Sequence, residues 1–582
     1  MKKLLNLTIA ISILISSLGI VPLAAQTSSI NKTQLDKKID SLFKEFNKTT
    51  SPGCAITVIE NGKVVSKIAY GMASIEHQVP FTHQSVVTLP YSEAREFISI
   101  AAVLMEKDGV LKLTDKVRNY FPDLPEWSAQ VTLWDLLNHR SGFVDEWATL
   151  LLMHNSMANR FEKEQFLRLL YTQPNPQVEP GKGYMYCNSD FGLLRLILEK
   201  APGKYLPDWM KERMFERLNM KSTSMQISPL DIIPNHSIMY DDSFGERCQH
   251  ASIQKTSPGG NYYILTSAND LEQWLVAIND PDTELNQAAA TLMSNVRQIP
   301  GRVNHYVVGY STPTINNYKV IIHEGVNGYN YLSRIPSKGL AVITLGNRHF
   351  DGFGIENKAI VNYLLKVAPP SLPKLLTQPI NVNERELKKY TGNYRWQEVS
   401  WESYQQSRKF STFFIADGKL KVRYTGNYVI DLIPVAKDIF YYEEGFGLQF
   451  VFSQSTATAP LQVVTMYDDG YPGELMIKNT EVAWNPAKEI LARFVGKYYS
   501  KHLDFFWTIV INDKDQLVLH RSTLPDTIIE PDGPNQFHYI GEKSPGVGFD
   551  QWIRFNSNAK GVSTGFTVWS ARVMHHEFEK VD

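Results

Sequence analysis

Cysteine is nearly absent: Cys54, Cys187 and Cys248 are the three in a chain of 582 residues. At most one disulfide can form, so no cystine framework holds this exported-looking chain and the fold must rest on its own apolar core. Their spacings do not resemble a metal site, and no metal or organic cofactor is implied. An excess of one charge is also missing. Lys+Arg total 59 against 60 Asp+Glu, a formal net charge of −1. That excludes the basic surplus that attracts nucleic acid and the polybasic block that attracts anionic lipid. Beyond the N-terminus no apolar run is long enough to span a bilayer. What remains is an ordinary globular composition, 43% hydrophobic and 20% charged, in a length that implies two to four domains.

The N-terminus reads as an export signal over residues 1–25. Lys2 and Lys3 precede a mostly apolar Leu4–Val21, and Pro22-Leu23-Ala24-Ala25 offers small residues for cleavage before Gln26. Asn6, Thr8, Ser12, Ser16 and Ser17 interrupt the run, which argues against a membrane anchor, and no cysteine follows for a lipid. A periplasmic or secreted protein without a stable membrane span is expected.

Leu35, Ile39, Leu42 and Phe46 recur at helical spacing in an otherwise charged stretch, predicting a helix over residues 34–46. Two β-rich runs around Asn61-Gly62 predict a hairpin. A helix over 96–107 should stop at Asp108-Gly109. Helical segments over 132–138, 163–171 and 190–200 follow, then strands over 318–323 and 340–345 and a closing helix over 352–367. Strands at both ends with helices between them predict an α+β fold, a sandwich spanning residues 26–368.

Ala368-Pro369-Pro370-Ser371-Leu372-Pro373 reads as a stiff linker. Beyond it, short alternating runs repeat. The stretch from Leu387 to Tyr394 parallels Leu491 to Tyr498, Asp438-Ile439-Phe440 parallels Asn535-Gln536-Phe537, and Phe450-Val451-Phe452 parallels Ile553-Arg554-Phe555. Two small antiparallel β-barrels are expected, about 375–480 and 485–582.

Three blocks carry candidate chemistry. Ser92-Glu93-Ala94-Arg95 precedes a helical stretch and the run Gly109-Val110-Leu111-Lys112-Leu113-Thr114-Asp115-Lys116-Val117. Val131-Thr132-Leu133-Trp134-Asp135-Leu136-Leu137-Asn138-His139-Arg140-Ser141-Gly142 follows. Tyr186-Cys187-Asn188 lies after Glu179-Pro180-Gly181, and His323-Glu324-Gly325 ends a predicted strand. In this order they resemble the motifs of the serine β-lactamase and penicillin-binding superfamily, which includes esterase- and D-aminopeptidase-like serine hydrolases. The barrels resemble the lipocalin-like C-terminal domains that accompany some of these enzymes. Other Ser-x-x-Lys matches, Ser41 to Lys44 and Ser252 to Lys255, stand in the wrong order.

The resemblance implies a β-lactamase-like sandwich and an acyl-enzyme on Ser92, formed from a small-molecule or peptide ester or amide. Tyr186 would move protons, and Asn188 and His323 would orient substrate. The oxyanion hole would use the Ser92 N–H and one near Gly325. The departure is Arg95, where the pattern has lysine. A guanidinium stays protonated and cannot take the serine proton. Either Tyr186 serves as base beside the fixed charge of Arg95, or another group does, or the cleft binds a ligand or partner without turnover or catalyses a non-hydrolytic reaction. A scaffold role for the barrels, shaping access to the cleft, is the third expectation.

Overall fold

The computed structural model describes residues 30–89, 91–153, 162–225, 231–241, 249–250, 263–297, 308–324, 330–349, 354–367, 379–397, 410–423, 429–442, 448–466, 472–479, 484–521, 524–540, 550–570 and 572–581. The export signal, the proline-rich linker, Cys248, Gly325 and Ser252 to Lys255 lie outside these residues.

The first region is built on a five-stranded sheet of order β3-β4-β5-β1-β2. Its strands are β1 (Cys54–Glu60), β2 (Lys63–Tyr70), β3 (Ile321–Glu324), β4 (Tyr331–Ile335) and β5 (Leu340–Gly346), all paired antiparallel. The hairpin β1–β2 turns at Asn61 and Gly62, whose φ angles of 50° and 73° suit Asn-Gly. The interior strand β1 is covered on both sides because successive side chains alternate. Cys54, Ile56 and Val58 face one apolar cluster, while Ala55 and Ile59 face the other.

Helices supply both layers. On one face, α1 (Lys32–Phe43) buries Leu35, Ile39 and Phe43 beside Ile360 and Val361 of α7 (Gly354–Leu364). Each such side chain contributes about 1.5–3 kcal/mol by leaving water. On the other face lie α2 (Arg95–Lys107), α3 (Glu146–Met153), α4 (Lys163–Tyr171), α5 (Asn188–Lys200) and α6 (Ala268–Asn279). The α2 helix ends where the sequence signals it, at Asp108 and at Gly109 with φ +74°. The strand expected over 318–323 is broken instead. Tyr318 and Lys319 pair back on Thr314 and Ile315, and the Val320 N–H donates to the Pro313 carbonyl at 2.9 Å before β3 begins. Among the described residues no helix is long and apolar enough to cross a membrane.

Two antiparallel β-barrels follow. The first is a closed eight-stranded barrel over Gly392–Lys478, its ends joined by pairing of Gly392–Gln397 with Pro472–Lys478. The second, over Gly496–Lys580, forms a nine-stranded sheet. Its extra strand arises because one long strand of the first barrel, Val429–Ala436, corresponds to two here, Leu524–Ile528 and Glu530–Gly533, split at Ile529. The edges of the sheet are therefore neighbours in sequence, and the barrel is nearly closed.

The barrels differ in where their cores end. The first has its own apolar cluster, including Tyr394, Phe413, Phe450 and Phe452. The second shares a continuous cluster with the sandwich, and Trp569 and Met574 pack on Val178 and Met185. Backbone N–H of Met574 donates to Gln177 Oε1 at 2.6 Å. Arg168 and Asp504 meet at 3.1 Å.

Candidate active site

Strand Val86–Leu89 feeds the chain into a 3-10 turn, Tyr91–Ala94, and then α2. In that turn residues three apart stack on one side, so Ser92 and Arg95 share a face. Both are buried: Ser92 is 3% exposed and Arg95 0%. Cys187 occupies the N-cap of α5 in extended conformation, delivering Tyr186 before the helix and Asn188 into its first turn. The sequence-predicted Arg95, Tyr186 and Asn188 come together in direct contact.

The Arg95 guanidinium is engaged by the start of α5. Its Nη2 donates to Asn188 Oδ1, and its Cζ lies 4.8 Å from the ring centroids of both Tyr186 and Phe191. The other end of the Asn188 amide is also taken. Its Nδ2 donates to Asp145 Oδ1 at 3.4 Å, and its backbone N–H donates to Asp145 Oδ2 at 2.8 Å. Asp145 in turn caps α3 by accepting from Ala148 N–H at 2.8 Å. The amide expected to position substrate is held by protein at both poles.

The next residue, Glu96, does the same on the sheet side. It is 0% exposed and gathers three donors and a nearby cation. His323 Nδ1 pairs with Oε2. Trp274 Nε1 donates to Oε1 at 3.1 Å and the Tyr310 hydroxyl at 3.3 Å, while Arg334 Nη2 lies 3.7 Å away. Burial pushes the Glu96 carboxyl up, but the charges of His323 and Arg334 and the bonds from His323 and Trp274 outweigh it and hold it at about 2. His323, on β3, is 3% exposed and sets its ring against Phe97 at 5.9 Å. A loop packs directly on this turn. A Cβ at Gly309 would meet Glu96 N at 3.0 Å and Arg95 C at 3.1 Å, and its φ of +88° suits glycine.

Around Arg95 lie three buried acids, Asp145, Glu146 and Asp190. Burial, with the neighbouring Asp145 charge, pushes Glu146 up to about 8, against the pull of the Ser189 hydroxyl bonded at 2.5 Å and of Arg95. Burial raises Asp190 well above the carboxylate range and lowers His139 well below the histidine range. These two meet at 3.2 Å. Burial thus disfavours charge on Glu146 and Asp190, set around the fixed positive charge of Arg95.

Sequence reading missed these acids, Glu96 as the anchor of His323, and Arg572. The last comes from the second barrel. Its Cζ lies 4.4 Å from the Tyr186 ring centroid and 5.5 Å from that of Trp147. Tyr186 therefore has a guanidinium on it from the sandwich and another from the barrel. Cys187 is a free, buried thiol pointed at the Phe143 carbonyl at 3.4 Å, as a packing residue would be. Ser41 of the competing match merely bonds the Lys38 carbonyl at 2.7 Å.

A central antiparallel sheet with helices on both faces, and a Ser92 turn set beside Tyr-x-Asn, define a serine-hydrolase-type sandwich. The Beta-lactamase family model matches residues 39–364, more than half of the chain, and the chain belongs to that family. A D-aminopeptidase of Cereibacter sphaeroides is 25% identical over 295 residues, covering 50% of this chain and 55% of the relative. The chain thus spans about half the length of the D-aminopeptidases it matches. Penicillin-binding protein 4* of Bacillus subtilis is 22% identical over 463 residues, covering 75% of this chain and 97% of that protein. The solved octameric penicillin-binding protein homologue from Pyrococcus abyssi shares the fold, with TM-score 0.51 at 20% identity over 77% of this chain and all of that one.

Proposed function

We propose that this chain is an exported, periplasmic or secreted beta-lactamase-fold protein whose Ser92 cleft holds a small-molecule or peptide ligand without lysine-type acyl transfer. In this reading residues 26–368 form the cleft-bearing domain after removal of a 25-residue signal, and the two barrels are separate modules. The supporting observation is the buried Arg95 guanidinium bonded to Asn188. A serine hydroxyl needs a partner that can accept its proton, and this group cannot. The next residue withdraws His323 in the same manner.

Hydrolysis through a Ser92 acyl-enzyme is the second reading. The names of the relatives favour it, and so does the contact of Arg95 with the Tyr186 phenol, a group able to carry a proton.

A fluorophosphonate separates the two. The native protein and Ser92→Ala are expected to show no mass shift, while Arg95→Lys is expected to gain one on Ser92. Labelling of Ser92 in the native protein overturns the binding reading and establishes the hydrolase. Equilibrium binding of peptides that begin with a D-amino acid, the chemistry in the name D-aminopeptidase, then measures the ligand.

A further inference from the structure

We propose that the second barrel is an acid-released cover on the Ser92 cleft, latched to the sandwich by the neighbouring rings of His502 and His576. The proposal rests on the reading of that cleft as the ligand site, because that is what the cover exposes.

The latch lies at the seam described above. His502 and His576 both belong to the second barrel, are 8% and 1% exposed, and have ring centroids 5.2 Å apart. Each grips a different helix of the sandwich. His502 Nε2 donates to the Leu169 carbonyl of α4 at 2.8 Å. His576 Nε2 meets Thr149 Oγ1 of α3 at 3.2 Å. The Thr149 hydroxyl gives its own proton to the Asp145 carbonyl at 2.8 Å, so it is left to accept from the imidazole. Asp145 is the residue that holds Asn188. Four residues before His576, Arg572 lies against the Tyr186 ring. One module thus grips the two helices and caps the candidate catalytic phenol.

A neutral imidazole satisfies each of these bonds with a single N–H. A second proton on both rings would put two positive charges 5.2 Å apart in a buried seam. On α3 the buried acids Asp145 and Glu146 stand one turn before Thr149, Asp145 already engaged by the N–H groups of Asn188 and Ala148 and Glu146 by the Ser189 hydroxyl. Arg168 of α4 adds positive charge, and Asp504 of the barrel is already paired with it and with the Tyr499 hydroxyl. Arg572 is a further cation on the same side. Burial lowers the His502 pKa; its bond to the Leu169 carbonyl opposes this, and the Arg168 charge adds to it.

The sign follows from linkage. Undocked, the His502 imidazole returns to about 6.5 and takes up a proton that it resists when docked. Docking is therefore complete above that pH and weakens as pH falls, by about tenfold per pH unit for each histidine that must charge.

The test is hydrogen exchange on the full chain at pH 7.5 and pH 5.0, corrected for intrinsic rates. Peptides over residues 145–153, 163–172 and 572–578 are expected to lose protection tenfold or more at pH 5.0, while peptides over 411–422 in the first barrel stay unchanged. The double variant His502→Gln, His576→Gln keeps neutral N–H donors and is expected to remain docked at pH 5.0. Equal seam protection of the native protein at both pH values overturns the proposal, and so does a double variant that opens as the native protein does. Should the double variant be undocked already at pH 7.5, the single variants decide. Each must remove about one histidine's share of the acid response, and single variants that open like the native protein overturn the latch. This readout does not involve Ser92 chemistry, so fluorophosphonate labelling of the native protein would sink the binding reading and leave the latch standing.

Discussion

The two barrels share a scaffold and differ in what their cores join. Tyr394 donates to the Tyr390 carbonyl at 2.8 Å, and its counterpart Tyr498 donates to the Phe494 carbonyl at 2.7 Å. Asp438 and Asn535 both adopt left-handed backbone, φ 63° and 60°, and both give their carbonyl to a phenylalanine N–H at 2.8 Å, Phe452 and Phe555. Asp and Asn tolerate that conformation. The side chains filling the wall then diverge. Opposite Tyr394 stands Ser411, whereas opposite Tyr498 stands Trp507, stacked on Phe578 at 4.6 Å. The lesson is that turn and strand-end positions keep a duplicated fold, while wall and outer-face positions are free to build a docking surface in one copy.

The largest effect should come from emptying the two cores. Trp507→Ala and Phe413→Ala are each expected to cost about 3–5 kcal/mol. Because the Trp507 cluster is continuous with the sandwich, its loss should loosen the sandwich as well, whereas Phe413→Ala should be felt in the first barrel alone. Region-resolved hydrogen exchange under mild denaturant checks this. Loss of sandwich protection in both variants, or in neither, erases the contrast.

A pH series sharpens it on the covered helix α3. Glu146 is raised to about 8 from an ordinary 4.5, so the folded state binds its proton more tightly than the unfolded one. Its contribution is present below the unfolded value and is lost as pH rises from there through about 8, with a slope of at most about 1.4 kcal/mol per unit. Glu146→Gln should flatten that slope in denaturation of the sandwich and leave the first barrel's curve untouched. Glu96 runs the opposite way. Held at about 2, it stabilises above the ordinary carboxylate pKa and loses that contribution as pH falls toward 2, a loss that Glu96→Gln should abolish in acid titrations.

Tyr394→Phe and Tyr498→Phe each remove one hydroxyl bond to a backbone carbonyl and should cost about 1 kcal/mol apiece, the same in both copies by urea titration. Unequal costs would mean the copies are not equivalent scaffolds. The smallest effect belongs to Asp438→Asn, which makes the first barrel more like the second. It should cost under about 1 kcal/mol in dilute buffer and nearly nothing in molar salt, because the Lys389 pair at 2.6 Å is half-exposed.

Local patterns were legible in the sequence. Asn61-Gly62, the 163–171 helix and the paired Leu-to-Tyr blocks each announce themselves through turn chemistry or periodicity, and the structure places them as read. The contacts that decide the chemistry were not. Glu96 had looked like the first residue of a helix, and nothing within its neighbourhood indicates that Trp274, Tyr310, His323 and Arg334 converge on it. Asp145 and Arg572 are similarly silent, because burial of a charge is set by partners distant along the chain. Arg95 was visible as a departure, but its bond to Asn188 depended on where α5 lands.

Consecutive side chains on a helix point about 100° apart, and here Arg95 reaches the helical wall of the cleft while Glu96 reaches the sheet wall. The start of α2 is therefore a tether between the two jaws. Neither jaw can swing away without stripping a buried charge of its partners, so the gap between them has a fixed width. On the side where Arg572 lies against Tyr186, that gap is bordered by the second barrel.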